Sequence, residues 1–448
     1  MLNQSFTQEN LRKIYDAENR KGDYIEKGFP SEIREVSLAI KRWRRIKRSL
    51  NKRKDKYSEE IYQARLKKIR DAINSHEAGR DYIINSRLEE ASQNISKKTF
   101  KLKIEKHFSS HHGKQVYCVK PGIESFFAEK QVQKNIKTTY NVKQASRDVI
   151  ISQIISVLSD NFPKQIIRTD ISSFYESIDR NFLKDRISKN PELSLASRKM
   201  IEQVMRDYEK ITQSQKGIPR GVGISAYLSE LYMSGADEMI KALPGVVYYT
   251  RYVDDIVVIF SPLKSYRVED RKEMVSSIMS DIGLSLNEEN QQKTKLIAFK
   301  KGVDYSFEYL GYKIQHHAKK VKVGASKDKI KKYKARIDCA FESYRKSYGS
   351  ENDKKLLVNR IRFLTGNTKL ANNKSGTFVG IYSSNRWIDD LSFLDQLDHY
   401  LGLRASGVTS QTLQRRVLKL SFRDGFENKV FRSFSTRDLG KITQVWRR

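Results

Sequence analysis

Cysteine is nearly absent. The 448 residues hold two, Cys118 and Cys339, far apart in the chain. No disulfide framework and no cysteine-rich zinc module can be built from them, and such sparing use fits a reducing, cytoplasmic setting. Long apolar runs are absent as well. No stretch is long enough to span a bilayer, and the opening M-L-N-Q-S-F-T-Q-E-N is too polar for a signal peptide, so no membrane partner is expected. There is no internal repeat and no low-complexity segment, and residues 1–90 are almost free of glycine.

The shortage that bears most on function is of acidic residues. Asp and Glu number 53 against 86 Lys and Arg, a net charge of +33 and a pI of about 9.8. Such an excess opposes compaction unless a polyanion neutralises it, and nucleic acid is the first polyanion to expect. With 38% hydrophobic residues the chain can still build a sizeable core and two or three structural units.

Residues 1–90 read as helical and charged. Leu38, Ile40, Trp43, Ile46 and Leu50 recur at helical spacing, and the basic run 41–56 is a candidate nucleic-acid contact. Helix continues from Ile61 to Ile84. Alternation over 95–120 predicts a β-hairpin with H-H-G-K near its turn. Its cluster His107, His111, His112 and Cys118 has the residue types of a metal site, although imidazoles in a basic stretch are more often solvated or near phosphate. A basic helix over 126–143 and an apolar-faced one over 145–158 follow. A short strand ends at Asp170, with Phe174 and Tyr175 after it. Gly217, Gly221 and Gly223 form a turn into a helix beginning near Ile224 or Ser225, and amides at such a turn favour anions.

The stretch Tyr248–Phe260, Y-Y-T-R-Y-V-D-D-I-V-V-I-F, reads as a hairpin whose polar break is Asp254-Asp255. Adjacent carboxylates repel, and burying them without a cation is costly. A hard divalent cation answers that, because it takes carboxylate oxygens. Beyond lie a helix over about 267–282, a strand–loop–strand over 283–299 and a strand pair over 306–314 with a glycine at its bend. A basic helix starts at Lys327 with Tyr333, Ile337, Ala340, Phe341 and Tyr344 as its buried stripe. Loop chemistry follows at 366–376, then an amphipathic helix from Asp389 to Leu401.

Asp170, Gly217–Gly223, Tyr252-Val253-Asp254-Asp255, Lys293-Thr294 and Tyr309-Leu310-Gly311 stand in one order, and the series resembles motifs A to E of the reverse transcriptases. The resemblance covers roughly 95–320. It implies an α+β right-hand polymerase: a basic helical N-terminal region at 1–90, fingers and palm (an antiparallel sheet plus helices) at 91–320, and a helical thumb and C-terminal region at 321–448. It implies RNA-directed DNA synthesis, with Asp170, Asp254 and Asp255 as catalytic residues holding two Mg²⁺ ions; Mn²⁺ also suits an all-oxygen site. Tyr175 falls at the steric-gate position. Arg220, Gly221, Lys293 and Arg147 fall to nucleotide binding, with Lys137 and Lys143 beside Arg147. Tyr309, Leu310 and Gly311 fall to the primer grip. Arg220 stands where the family commonly has glutamine, and Gly223 where many bacterial members have proline.

The P-R-G-V-G-I-S form of motif B and the L-T-G-N-T-K-L stretch at 364–370 look most like the bacterial defence-associated (abortive-infection or retron-like) enzymes. That implies antiphage defence, with a noncoding RNA template, deoxynucleoside triphosphates, a DNA product, and a partner protein or homo-oligomer. Alternatives are untemplated or protein-primed synthesis at the same site, a retron enzyme, and a non-catalytic RNA-binding scaffold. Against the scaffold, repelling carboxylates have no reason to persist at a site with no cation.

Overall fold

The computed structural model describes residues 3–21, 31–111, 113–160, 162–287, 294–299, 304–317, 320–370 and 377–446. It is a mixed helix-and-sheet protein that divides into two compact units: Met1–Lys143 with Ile178–Tyr232, and Gln144–Ser177 with Met233–Arg448.

In the first unit the helix Ser31–Asn51 packs along the helix Glu59–Ser96. The second starts where Ser58 accepts a hydrogen bond from the Ile61 amide, a side-chain cap for an otherwise unpaired donor. It runs unbroken past residue 90 for 38 residues. Leu50, Tyr62, Leu66, Ile69 and Ile73 form the seam, with Trp43 and Tyr57 against it. Two members of the expected stripe, Leu38 and Ile46, are exposed instead, while Ile33, Ser37, Ile40 and Leu50 are buried, so the buried stripe is narrower than the apolar spacing predicts.

The predicted hairpin forms from β1 (Ile104–His111) and β2 (Lys114–Val119), with His111 opposite Lys114. The helices Ile123–Thr139 and Leu195–Thr212 pack beside it, joined by a buried Asn135–Ser197 hydrogen bond of 2.9 Å. Of the expected metal cluster, His107 lies against the Phe108 ring, whereas His112 and the His111 side chain lie outside the described residues.

The second unit is built on a four-stranded antiparallel sheet of β3 (Lys164–Asp170), β4 (Val246–Tyr252), β5 (Asp255–Phe260) and β6 (Lys295–Phe299), ordered β4-β5-β3-β6. The central strands β3 and β5 are buried on both faces, which is why they read as continuous apolar runs. One face, with Ile166, Val257 and Ile259, joins a core that takes in Phe307, Ile314, Ile337 and Phe341. These belong to a second antiparallel sheet of β7 (Tyr305–Tyr309), β8 (Tyr312–His317) and β9 (Lys320–Ala325), and to the helix Lys327–Arg345. The expected strand pair thus gains a third strand. Tyr333 and Tyr344, expected in the buried stripe of that helix, are partly buried at the edge of the core.

The stretch 364–370 is not merely a loop. Asn367–Lys369 forms β10, paired with β11 (Phe378–Gly380). The buried Asn367 amide donates to the Gly425 carbonyl at 3.0 Å, and its oxygen accepts from the amides of Tyr382 and Ser383 at 3.0 Å each. The helix expected from Asp389 begins at Ser392, because the Asp389 carboxylate is used to accept from the Val323 amide at 2.6 Å. No described helix is long and apolar enough to cross a membrane.

Candidate active site

The sheet of the second unit sets the geometry. β3 and β5 run antiparallel with Asp170 directly opposite Asp255, and β5 pairs with β4 so that Tyr252 also faces Asp255. The hairpin turn is therefore Val253-Asp254, one residue earlier than the Asp254-Asp255 break read from the sequence. Directly opposed residues share a sheet face, so Asp170 and Asp255 lie on one side, with Asp254 at the tip beside them.

Val253 has φ of +61°. A two-residue turn with only its first position left-handed is of type II′, whose first position favours glycine. A β-branched residue there is strained, and the surroundings hold it. Three successive carbonyls of the turn each accept from a different source: Val253 from Arg251 Nη1 at 2.8 Å, Asp254 from the Ile171 amide at 3.0 Å, and Asp255 from the Tyr309 hydroxyl at 3.0 Å. Arg251 is itself fixed by a two-point ion pair with Asp237, at 2.9 and 2.8 Å, and Asp237 also accepts from the Tyr249 hydroxyl at 2.6 Å. Such planar bidentate pairing fixes the guanidinium direction. Tyr309 is buried, which pushes its phenol well above the usual range and keeps it a donor.

Asp170 is similarly framed. Its carbonyl accepts from the Asn287 amide at 2.9 Å, and Ser172 donates to the Asn287 side chain at 2.7 Å. Beneath it, Thr169 and Thr294 share a buried hydroxyl contact of 2.8 Å. The Asp255 carboxylate accepts from Arg168 at 3.1 Å. Among the described residues, no three Asp, Glu, His or Cys side chains close on a common point. The donor chemistry is nevertheless that of a hard-cation site: three carboxylates at the adjoining ends of two paired strands.

Two other expected residues fall in this unit. Tyr175 is half-buried on the short helix Phe174–Ser177, its ring edge-on to the fully buried Phe174 at 5.6 Å. Arg147 begins the helix Arg147–Leu158 and lies 4.7 Å over the Tyr312 ring, beside the Leu310-Gly311 turn. Lys137 and Lys143 belong to the first unit and are exposed. Leu310 and Gly311 both have positive φ, the mark of a type I′ turn. Lys293 lies outside the described residues.

Arg220 and Gly221 belong to the first unit. Gly221 has φ of +96°, and a Cβ there would come within 2.5 Å of Val116 and 2.7 Å of the Tyr117 carbonyl. The close approach that demands glycine is to β2, where the Tyr117 amide donates to the Arg220 carbonyl at 2.8 Å. The helix Gly223–Lys241 does not leave its first amide open to a phosphate. Gly223 donates to Glu129 at 2.7 Å, and burial pushes the Glu129 carboxyl up against that bond.

Sequence reasoning passed over Arg168, Asp237 and Arg251. Arg251 was legible only as a cation two residues before the turn. Its partner Asp237 lies 14 residues away on a helix, which no local pattern reveals.

Residues 161–314 match the family model of the reverse transcriptase (RNA-dependent DNA polymerase). Comparison with curated protein sequences gives no match. Among solved structures the chain is similar to telomerase from Candida albicans in complex with a TWJ fragment of telomeric RNA, at 10% identity and TM-score 0.37, covering 80% of this chain and 65% of that one. It is similar also to apo telomerase from Candida tropicalis, at 14% identity and TM-score 0.39, covering 77% and 64%. The chain thus spans less than two thirds of the length of either structure. The span that matches the reverse transcriptase domain includes Asp170, the Val253-Asp254 turn and the Leu310-Gly311 turn.

Proposed function

We propose that the chain is an RNA-directed DNA polymerase that adds deoxynucleotides to a 3′-hydroxyl at Asp170, Asp254 and Asp255. The observation that supports this most is the register of Asp170 opposite Asp255 with Asp254 in the adjoining turn, inside the span that matches the family. Two divalent cations, Mg²⁺ or Mn²⁺, would supply Lewis acidity there for in-line attack on an α-phosphate and release of pyrophosphate. Asp170 and Asp254 are their primary ligands, and Asp255, shared with Arg168, completes the set.

The remaining assignments belong to the same reading. The sheet β3–β6 is the palm, within fingers and palm at 91–320. The N-terminal 1–90 is a basic nucleic-acid arm, and 321–448 forms the thumb and C-terminal region. Tyr175, open on one side, crowds a ribose 2′-hydroxyl. Arg220, Gly221 and Lys293 serve nucleotide binding, and the 309–311 turn grips the primer. We extend the reading to a cytoplasmic enzyme of antiphage defence, copying a dedicated noncoding RNA with a partner protein or a second copy of itself, on the sequence resemblance of 219–225 and 364–370.

The test is sequencing of the nucleic acid that copurifies from cells, wild type beside Asp254→Ala/Asp255→Ala. DNA complementary to one bound RNA, found only with the wild type, supports the reading and identifies the template. DNA matching no RNA, or attached to protein, replaces it with untemplated or protein-primed synthesis. RNA bound equally by both, with no DNA during infection, leaves a binding scaffold.

A further inference from the structure

The strand β9 is an outer strand of its sheet, ordered β7-β8-β9, and its free edge is only partly covered. Along such a strand, successive residues turn their N–H and C=O alternately toward the neighbouring strand and away from it. The even positions turn inward: Ser326, just past the strand in that phase, donates its amide to the Gly311 carbonyl at 3.2 Å. The odd positions turn outward. At Val323 the outward groups are taken. Its amide donates to the Asp389 carboxylate at 2.6 Å, and its carbonyl accepts from the amides of Asp389 and Asp390 at 3.0 and 3.1 Å. Val321, two residues earlier, stands in the same phase, and its outward N–H and C=O have no partner among the described residues.

That open edge lines a groove of about 560 Å³, whose other wall is the start of the helix Ser392–Ser406 with Arg423. The Val321 side chain packs on the core. Lys320 and Lys322 therefore lie on the other face, exposed, and neither makes an ion pair with a described residue. The carboxylates of the groove are in use. Asp389 holds the Val323 amide, Asp390 accepts from the Ser392 amide at 3.2 Å, and both oxygens of Asp395 accept from Arg423 Nη1 at 2.9 Å.

We propose that this groove docks an acidic, extended segment of a partner protein, which adds a strand to β9. The added strand pairs its main chain with Val321, beginning where the Asp389–Asp390 segment stops. Residues directly opposite each other share a face and interact, so acidic side chains stand opposite Lys320 and Lys322 and an apolar one opposite Val321. Other occupants fit less well. A second copy pairing through the same strand sets lysine against lysine, the device by which edge strands avoid each other. Nucleic acid brings phosphates against Asp389, Asp390 and Asp395. The inference rests on the proposed function only for the existence of a partner protein.

The test uses the full chain and a short fluorescent peptide of alternating glutamate and valine, read by anisotropy. Two further peptides carry methyl groups on alternate backbone nitrogens, one in each phase. All three have the same charge, so general attraction to a basic chain affects them alike. One methylated phase should bind about tenfold more weakly than the other, because it alone loses the main-chain bonds to Val321. Lys320→Glu/Lys322→Glu should weaken the unmethylated peptide about tenfold, whereas the same charge change at exposed sites of the first unit, Lys67→Glu/Lys68→Glu, should not. Amide hydrogen exchange across 320–323 should slow when the peptide binds. Equal binding of the two methylated peptides, or no binding of the unmethylated one at millimolar concentration, overturns the proposal, and neither readout needs a variant to fold. A short oligouridylate that displaces the peptide and is lost with Lys320→Glu/Lys322→Glu replaces it with nucleic acid. Protection of 320–323 that grows with chain concentration alone replaces it with a second copy. No extension is measured, so failure here leaves the polymerase reading standing, and loss of that reading leaves the groove standing.

Discussion

Arg251 Nη1 donates to the Val253 carbonyl at 2.8 Å while the same guanidinium grips Asp237 with its other nitrogens. An ion pair with a buried guanidinium is thereby aimed at the strained residue of the hairpin, with φ of +61°, and through it at the neighbouring aspartates. Arg251→Met takes the guanidinium from the half-buried Asp237, which keeps its bond from the Tyr249 hydroxyl, a loss of about 2–3 kcal/mol. It should lower the melting temperature and primer extension together. Val253→Gly meets a backbone that suits glycine and should stay within about 1 kcal/mol of wild type with extension retained. Thermal melts and extension assays on both variants check this. Equal damage from the two would mean the turn depends on the valine side chain.

Asp254→Ala, and separately Asp170→Ala, should reduce extension on an RNA template by about 10³-fold, the equivalent of several kcal/mol of lost charge stabilisation. Binding of the template should stay near wild type, because each change removes a negative charge from a basic protein. Extension and filter binding on the same preparations separate the two effects.

Tyr309→Phe removes a single neutral hydrogen bond, the one to the Asp255 carbonyl, and keeps the ring in the core. Stability should fall by about 1 kcal/mol. The metal concentration for half-maximal extension should rise, because Asp255 loses a support, and a titration of Mg²⁺ in both proteins measures it. An unchanged midpoint would limit Tyr309 to packing.

Lys329 carries a pH signature. Its folded value of about 7 lies below the ordinary lysine value of 10.5, so between those values the unfolded chain holds more protons and stability rises with pH. The penalty is complete below about 7 and gone by about 10.5. The charged and titratable groups around it are Arg147, Tyr312, Tyr333, Asp328 and the Asp148–Arg386 pair. Lys329→Met should therefore be more stable than wild type at pH 6, on the order of 1–2 kcal/mol. The gap should shrink at pH 9.5, and melts at the two pH values decide it.

Gly221→Ala should destabilise the chain by about 2–4 kcal/mol, since both its φ of +96° and the contacts with Val116 and the Tyr117 carbonyl reject a Cβ. Limited proteolysis should then open the β1–β2 region first.

Strands and turns were legible where one period or one residue type dominates. The apolar runs of β3 and β5, the Leu310-Gly311 bend and the helix from Lys327 all stand where the pattern puts them. The hairpin turn was misread by one residue because Val253 is not a turn former, and only three carbonyl contacts hold it there. The glycine-rich turn has amides of the kind that favour anions, but nothing in 217–223 shows that the carboxylate of Glu129, 94 residues away, takes the first amide of the helix.

By itself the amino-acid order supplied the candidates for chemistry: three carboxylates in a chain of net charge +33, inside the span that matches the reverse transcriptase model. Tertiary structure alone decided what those residues meet. Strand register sets Asp170 against Asp255 across 85 residues, the Asp237–Arg251 pair braces the turn, and Tyr312 gathers Arg147 and Lys329 beside Gly311. The reason is physical. Periodicity and turn chemistry act over a few residues, whereas ion pairs, buried hydrogen bonds and ring contacts join groups whose distance along the chain carries no information about their distance in space.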